Sequence, residues 1–207
     1  MNNLARKTDK ADSSRSRILD AAAHLFRKDG YASVSLRAIA AAAGMKAGSV
    51  YYHFDSKQTI VIEILDMGIS AVHAEVARTI TNLPANASAG DTVRAGIHAH
   101  LRALFEFSDY TSANVRIYGQ VPEPVRRANR KVRREYEALW GGILERIAEE
   151  GGVRSGIDLN AFRLMLIGSL NATLEWFDTK RDSLTELGDS YADLMLQGIL
   201  PCRELQR

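Results

Sequence analysis

The stretch from Ser35 to Lys57 constrains the fold more than any other part of the sequence, because it carries two short helical patterns separated by one glycine. In the first pattern, apolar side chains recur at three- and four-residue steps, which places them on one face of a helix. Gly44 follows, and glycine can turn a chain sharply because it reaches positive φ without a Cβ clash. The second pattern opens at Lys46 and has Val50 and Phe54 on its apolar side. The sequence therefore predicts a helix-turn-helix.

The outward face of the second helix is small and polar. Its hydroxyl and ring N–H groups can reach base edges or phosphates in a major groove, and Gly48 and Ser49 keep the helix slim enough for a close approach. The alternative interpretation is that a short helix pair of this composition is surface packing in an all-α protein.

A wider pattern of residues surrounds this stretch. It includes Phe26, Gly30 and Tyr31 upstream, the run Gly48-Ser49-Val50-Tyr51-Tyr52-His53-Phe54, and the pair Ser56-Lys57. The pattern resembles the N-terminal domain of the TetR family of bacterial transcriptional regulators, over about residues 14–65. The resemblance implies a homodimer that binds palindromic double-stranded operator DNA, most commonly as a repressor released by a small-molecule effector. Carried over residue by residue, it predicts DNA contacts from Ser35, Arg37, Lys46, Ala47, Gly48, Ser49, Tyr51, Tyr52, His53 and Lys57.

Charge is distributed unevenly along the 207 residues, although the net charge is only +2. Ten Lys and Arg stand against five Asp and Glu through Lys57, and seventeen against twenty beyond it. A positive N-terminal quarter is expected of a phosphate-binding module, although a solvated basic tail would look similar. Residues 1–12 contain three basic and few apolar side chains, so we predict a flexible basic arm there and a first helix that begins near Ser13 or Ser14.

Other classes of protein have little support in the sequence. Cys202 is the one cysteine, no early apolar run suggests a signal peptide, and no window is long and apolar enough to span a membrane. We therefore expect a cytoplasmic protein without a membrane partner. His98 and His100 are two residues apart and face different sides of a helix, which is a poor arrangement for a metal. No nucleophile elbow, phosphate loop or zinc-protease motif is present, so we predict no cofactor, no metal site and no catalytic residue.

The apolar periodicities predict an all-α fold of about nine helices. A three-helix DNA-binding domain should cover residues 13–57, and a ligand-binding and dimerisation domain residues 58–207. Ser56, Asp158 and Ser183 are predicted to cap helices, and Pro124 is predicted at the first position of a long one.

The larger domain is predicted to hold a mostly apolar effector between the helices that begin near Thr92, Pro124 and Leu159. An acyl thioester, a fatty acid or an aromatic acid would fit this description. The basic run from Arg126 to Arg134 is either a solvated helix face or a site for an anionic ligand. The predicted pocket residues are Phe105, Tyr118, Trp140, Asn171, Glu175 and Trp176.

The last two helices carry many apolar side chains, and the resemblance implies that such helices pack against a second subunit. The predicted interface residues are Phe162, Leu166, Leu170, Tyr191, Leu194 and Met195.

Two other classes of function stay open: an uncharacterised helical enzyme, and a helical interaction scaffold that does not bind DNA.

Overall fold

Every regular element is helical in the residues described by the computed structural model, which are residues 2–150 and 153–199, with side chains from Ser13 onward. This confirms the predicted all-α fold for that part of the chain, and Cys202 lies outside it. None of the described helices is long and apolar enough to cross a membrane. A π-helical turn (Ala103–Phe107) separates α5 from α6, and a 3₁₀ turn (Thr173–Glu175) follows α8. The helices are α1 (Asn2–Ser33), α2 (Leu36–Ala42), α3 (Ala47–His53), α4 (Lys57–Thr81), α5 (Ala89–Arg102), α6 (Asp109–Tyr118), α7 (Glu123–Glu149), α8 (Leu159–Ala172) and α9 (Leu184–Ile199).

Helix α1 is longer than the sequence analysis predicted. It begins at Asn2, so the predicted start near Ser13 or Ser14 is wrong, and the arm predicted over residues 1–12 is helical from Asn2. Residues 2–12 contain neither Gly nor Pro, and their Leu, Ala, Arg and Lys residues favour the helical conformation. No local signal therefore stops the helix before Ser13.

Helix caps follow local chemistry and mostly agree with the prediction. The Ser56 hydroxyl accepts a backbone N–H of the first turn of α4 at 3.2 Å, and Ser183 does the same for α9 at 3.3 Å. Asp158 accepts two backbone N–H groups at the start of α8. Pro124 is the second residue of α7 rather than the first, because the helix begins at Glu123.

The chain divides into two compact units. The first comprises Met1–Ile69 and Ser108–Val132, and the second comprises Ser70–Phe107 and Arg133–Arg207. The boundary predicted between residues 57 and 58 does not coincide with this division. Helix α6 belongs to the first unit because it packs along α1, where the Tyr110 hydroxyl donates to Asp20 at 2.6 Å.

The first unit has an apolar core to which α1, α2, α3, α4 and α6 all contribute. Burial of one large apolar side chain is worth roughly 1.5–3 kcal/mol, so this core holds the helix-turn-helix against its supporting helices. Its fully buried side chains include Ile18, Phe26, Ile39, Val50, Ile60, Ile64 and Ile117.

The second unit is built from the end of α4 and from α5, most of α7, α8 and α9. Helix α9 approaches α5 closely at Gly188, where a Cβ would lie 2.5 Å from the His98 ring. Any larger residue at position 188 would require the His98 ring to move. The fully buried side chains of the unit include Ile97, Leu101, Trp140, Leu144, Ile147, Leu166 and Leu170.

Candidate DNA-binding surface

The turn between α2 and α3 is fixed by hydrogen bonds at both ends of α2. Ser35 caps the start of the helix, and its hydroxyl accepts the Ala38 N–H at 3.1 Å. The chain then turns at Gly44, which has a φ of 66°. Arg17 of α1 donates to the Ala43 carbonyl at 2.5 Å and so satisfies an acceptor that the helix end leaves open. The hydroxyl of Ser35, predicted to contact DNA, therefore already has a structural role.

Helix α3 has one buried side and one exposed side, as the sequence predicts. Val50 and Phe54 are buried in the core, whereas Tyr52 is 82% exposed and Tyr51 is 58% exposed. The Tyr52 and His53 rings meet edge to face with centroids 5.1 Å apart, an arrangement that aromatic side chains favour. Lys46, Gly48 and Ser49 are also exposed, and Ala47 and His53 are partly exposed.

A groove of about 420 Å³ runs along the exposed side of α3. It brings together four of the predicted DNA contacts, Lys46, Ser49, Tyr52 and His53, next to Ser14 of α1. Hydroxyl, imidazole and ammonium groups in one shallow concavity can hydrogen-bond to base edges and phosphate oxygens. Gly44 and Met45 complete the lining of the groove.

Lys57 and Arg37 lie at the margins of this surface. Arg37 is exposed on α2. Lys57 is half-buried, and its Nζ donates to the Tyr31 carbonyl and lies 4.1 Å from the centroid of the Tyr31 ring. Burial lowers the pKa of Lys57. An ammonium has three N–H donors, so the bond to Tyr31 leaves donors for a phosphate.

Two residues of α1, Ser14 and Arg17, join this surface without having been predicted. Ser14 lines the groove, and Arg17 supports the turn before α3. From the sequence, Ser14 was predicted only to cap a helix. A helical pattern does not show which residues outside its apolar stripe will lie next to a helix that starts about thirty residues later.

The residues predicted to line an effector pocket are dispersed. Tyr118 lies in the first unit and packs against the core of that unit, so its predicted place in the larger domain is wrong. Trp140 is fully buried in the core of the second unit. Phe105 and Trp176 each make an edge-to-face contact with Phe177, at centroid distances of 5.4 and 6.0 Å, and Trp176 is largely exposed. Glu175 is exposed as well.

Asn171 belongs to a buried chain of hydrogen bonds in the second unit. An indole nitrogen can only donate, so Trp140 donates to the Tyr136 oxygen at 2.7 Å. The Tyr136 hydroxyl then donates to Nδ1 of His100 at 2.5 Å, and Nε2 of His100 donates to the Asn171 side-chain oxygen at 3.1 Å. Burial lowers the pKa of His100 to about 4. The neutral imidazole thus ties α5 to α7 and α8.

The residues predicted for the dimer interface fall into two groups. Phe162, Leu166 and Leu170 are buried within their own chain, which corrects their predicted role, because a side chain in the subunit core cannot cover a partner. Leu194 is 69% exposed, and Tyr191 and Met195 are partly exposed. Helix α8 also exposes Leu164 and Met165, which were not among the predicted interface residues.

Comparison with known proteins agrees with this architecture. The sequence model of the family of bacterial regulatory proteins called the tetR family matches residues 18–64. The sequence model of the tetracyclin repressor-like C-terminal domain matches residues 86–199. The HTH-type transcriptional repressor KstR2 of Rhodococcus jostii (strain RHA1) is 32% identical over 157 residues, which cover 73% of this chain and 74% of the relative.

Solved structures share the fold across nearly the whole chain. AibR in complex with isovaleryl coenzyme A and operator DNA gives a TM-score of 0.76 at 18% identity, covering 91% of this chain and 98% of that one. FadR from Bacillus subtilis in complex with stearoyl-CoA gives 0.73 at 22% identity, covering 89% and 98%. The family models and the KstR2 relative establish that the chain belongs to the tetR family of bacterial regulatory proteins.

Proposed function

We propose that this protein is a transcriptional repressor that binds operator DNA as a homodimer through α3 and is released from DNA by a coenzyme A thioester. The observation that carries the proposal is the two-sided character of α3. Its apolar side anchors it in the core of the first unit, and its polar side lines an open groove. As a DNA-binding repressor, the protein would act in the cytoplasm.

The short length of α3 supports the homodimer. A helix of seven residues can read only a few base pairs, so useful specificity needs two copies about one helical turn of DNA apart. Two-fold symmetry of the protein then requires a near-palindromic operator. The exposed apolar side chains of α8 and α9, among them Leu164, Met165 and Leu194, supply a surface for the second subunit.

Two observations support the effector class: the ligands of structures with the same fold, and the exposed basic side chains of α7. FadR and AibR, which share the fold, were solved with stearoyl-CoA and isovaleryl coenzyme A. In this chain α7 exposes Arg127, Arg130 and Lys131, and only Arg130 has an ion-pair partner, Glu123, in the part of the chain that the structure describes. Guanidinium and ammonium groups bind the phosphates that coenzyme A carries and a free fatty acid lacks.

Fluorescence anisotropy tests the proposal with the full-length protein and a labelled duplex from the region upstream of its own gene. We expect binding that weakens with salt, and release when stearoyl-CoA or isovaleryl-CoA is added. Tenfold weaker operator binding requires a preference of about 1.4 kcal/mol of the effector for the DNA-free state. Stearate serves as the comparison ligand that carries the apolar part of stearoyl-CoA without the nucleotide, and benzoate represents the aromatic acids.

Two variants separate the parts of the proposal. Tyr52→Ala should reduce operator binding without changing the fold, because this side chain is almost fully exposed. The double variant Arg127→Glu with Lys131→Glu should weaken the response to coenzyme A thioesters. An equal response to stearate and to stearoyl-CoA would contradict the effector class, and salt-independent DNA binding would contradict the repressor.

A further inference from the structure

The peptide of Tyr31 lies where α1 turns toward the helix-turn-helix. Immediately before it, Gly30 has a φ of 77° and a ψ of 175°, which are not helical values and kink α1 near its end. Val34 and Ser35 then lead into α2. The orientation of the Tyr31 peptide therefore helps to set the direction in which α2 and α3 leave α1.

Side chains from two other elements hold Tyr31 by its two backbone polar groups. The Tyr31 N–H donates to Oε1 of Gln120, just after α6, at 2.8 Å. Gln120 is itself held, because its Nε2 donates to the Arg116 carbonyl at 3.0 Å. The Tyr31 carbonyl accepts from Nζ of Lys57, the first residue of α4. Both backbone groups of this residue are thus engaged by side chains from outside its own helix.

The surroundings of Tyr31 fit this arrangement closely. A Cβ at Gly30 would lie 2.9 Å from Oε1 of Gln120, so glycine is required for the position of that amide as well as for the positive φ. The Tyr31 ring stacks on Phe26 of the core, with ring centroids 6.2 Å apart. A rotation of the Tyr31 peptide would therefore also displace the Tyr31 ring from its packing against Phe26.

Helix α6 is also tied to α1 at its other end. The Tyr110 hydroxyl donates to Asp20 at 2.6 Å, and Asp109 pairs with Arg27 at 2.9 Å. Contacts at both ends fix α6 along α1, and Gln120 supplies the contact at the end next to the helix-turn-helix.

We propose that Gln120 is a positioning residue for operator binding. By accepting the Tyr31 N–H, it fixes the angle at which α2 and α3 leave α1, and it does so from within the first unit without touching DNA. This inference rests on the proposed function. Gln120 is exposed, so the loss of its side chain removes a hydrogen bond and little apolar packing.

The test compares substitutions at Gln120 in the full-length protein. Gln120→Leu keeps a similar volume but leaves the Tyr31 N–H without its acceptor, and Gln120→Ala is a second variant without an acceptor. Gln120→Glu keeps an oxygen that can accept that N–H, although it loses the donor to the Arg116 carbonyl, and serves as the control that retains the Tyr31 hydrogen bond. Operator affinity is measured by anisotropy at several KCl concentrations, with a duplex that the wild-type protein selects from a randomised pool.

We expect Gln120→Leu and Gln120→Ala to bind the duplex roughly tenfold more weakly, since one hydrogen bond is lost in each of two subunits, and Gln120→Glu to stay within about twofold of wild type. Thermal unfolding of each variant separates this effect from stability. A purely structural role would lower the melting temperature while the folded protein kept its operator affinity, and that result would overturn the inference. If the wild-type protein selects no duplex at all, the proposed function itself fails.

Discussion

At the scale of single residues, His100 makes the stability of the protein depend on pH. Burial holds its pKa at about 4 in the folded protein, against 6.5 for an exposed histidine. Between these values the unfolded chain binds more protons than the folded one, so stability falls as the pH falls. We expect a loss of about 2 kcal/mol from His100 between about pH 7 and pH 5.

Urea unfolding of the wild type and of His100→Gln at these two pH values measures this loss. The variant should be less stable near pH 7, because it disturbs the hydrogen bonds to Tyr136 and Asn171. Its stability should nevertheless depend less on pH. Parallel losses in the two proteins would show that other groups cause the acid sensitivity.

Lys57 is predicted to contact a phosphate in addition to Tyr31. Lys57→Met keeps most of the side-chain stem and removes the charge, so it should weaken binding to every duplex. It should also flatten the dependence of log affinity on log salt by roughly one unit, because one phosphate contact releases about one counterion. Anisotropy over a KCl series measures the slope, and a slope equal to that of wild type would remove Lys57 from the DNA interface.

Spacing along the sequence identified the apolar stripes but not the direction in which each residue of a stripe faces. Leu166 and Leu194 received the same predicted role, yet the first is fully buried and the second is mostly exposed. Both positions suit an amphipathic helix, and only the packing of the neighbouring helices separates them. Tyr118 was misplaced because spacing along the chain did not show that it packs against the core of the first unit.

At the scale of helices, the crossing of α4 and α6 depends on Gly68. A Cβ at this position would clash with the Tyr110 carbonyl and lie 2.7 Å from Cβ of Asn114. Gly68→Ala should therefore cost about 1–3 kcal/mol of unfolding free energy, as overpacking usually does. Gly142→Ala in α7 is the matched control, because a Cβ there meets nothing within 4 Å.

The control should gain about 0.5–1 kcal/mol, since alanine favours a helix interior over glycine. Urea unfolding of both variants gives the difference directly. If the two substitutions had the same effect, the two helices could separate at Gly68 without cost.

Helices α8 and α9 allow a matched test of the proposed dimer surface. Leu194→Glu places a charge on an exposed side chain, so it should give a folded monomer that no longer binds the operator. Leu166→Glu buries the charge in the subunit core and should destabilise the fold by more than about 3 kcal/mol. Light scattering and circular dichroism distinguish the two results. A Leu194→Glu protein that stays dimeric would move the interface away from α9.

Helix ends were predictable where the signal is local. The caps at Ser56, Asp158 and Ser183 depend on a side chain and the N–H groups a few residues later, so the sequence contains all the participants. The start of α1 was mispredicted because several serines there could cap a helix, whereas the residues before them also favour one.

At the scale of the whole molecule, the two-part organisation was predicted but its boundary was not. The DNA-binding pattern ends near Lys57 in the sequence, yet the first unit takes in residues as far as Ile69 and the separate segment Ser108–Val132. A sequence pattern follows the chain in order, whereas α6 reaches α1 across almost eighty residues. The contacts between α1 and α6 join residues far apart in the sequence, so they produce no periodic pattern in it.

The discontinuous first unit has a consequence for protein engineering. A regulator with a new specificity can be designed by joining the N-terminal domain of one protein to the C-terminal domain of another. A junction at Lys57 would combine α1 of this chain with α6 of another protein. Asp20 would then lose its partner Tyr110, and the Tyr31 N–H would lose its acceptor Gln120. A hybrid that transplants Ser108–Val132 together with Met1–Ile69 would keep both sets of contacts. For this protein, the smallest DNA-binding unit that can be exchanged consists of two segments of the chain.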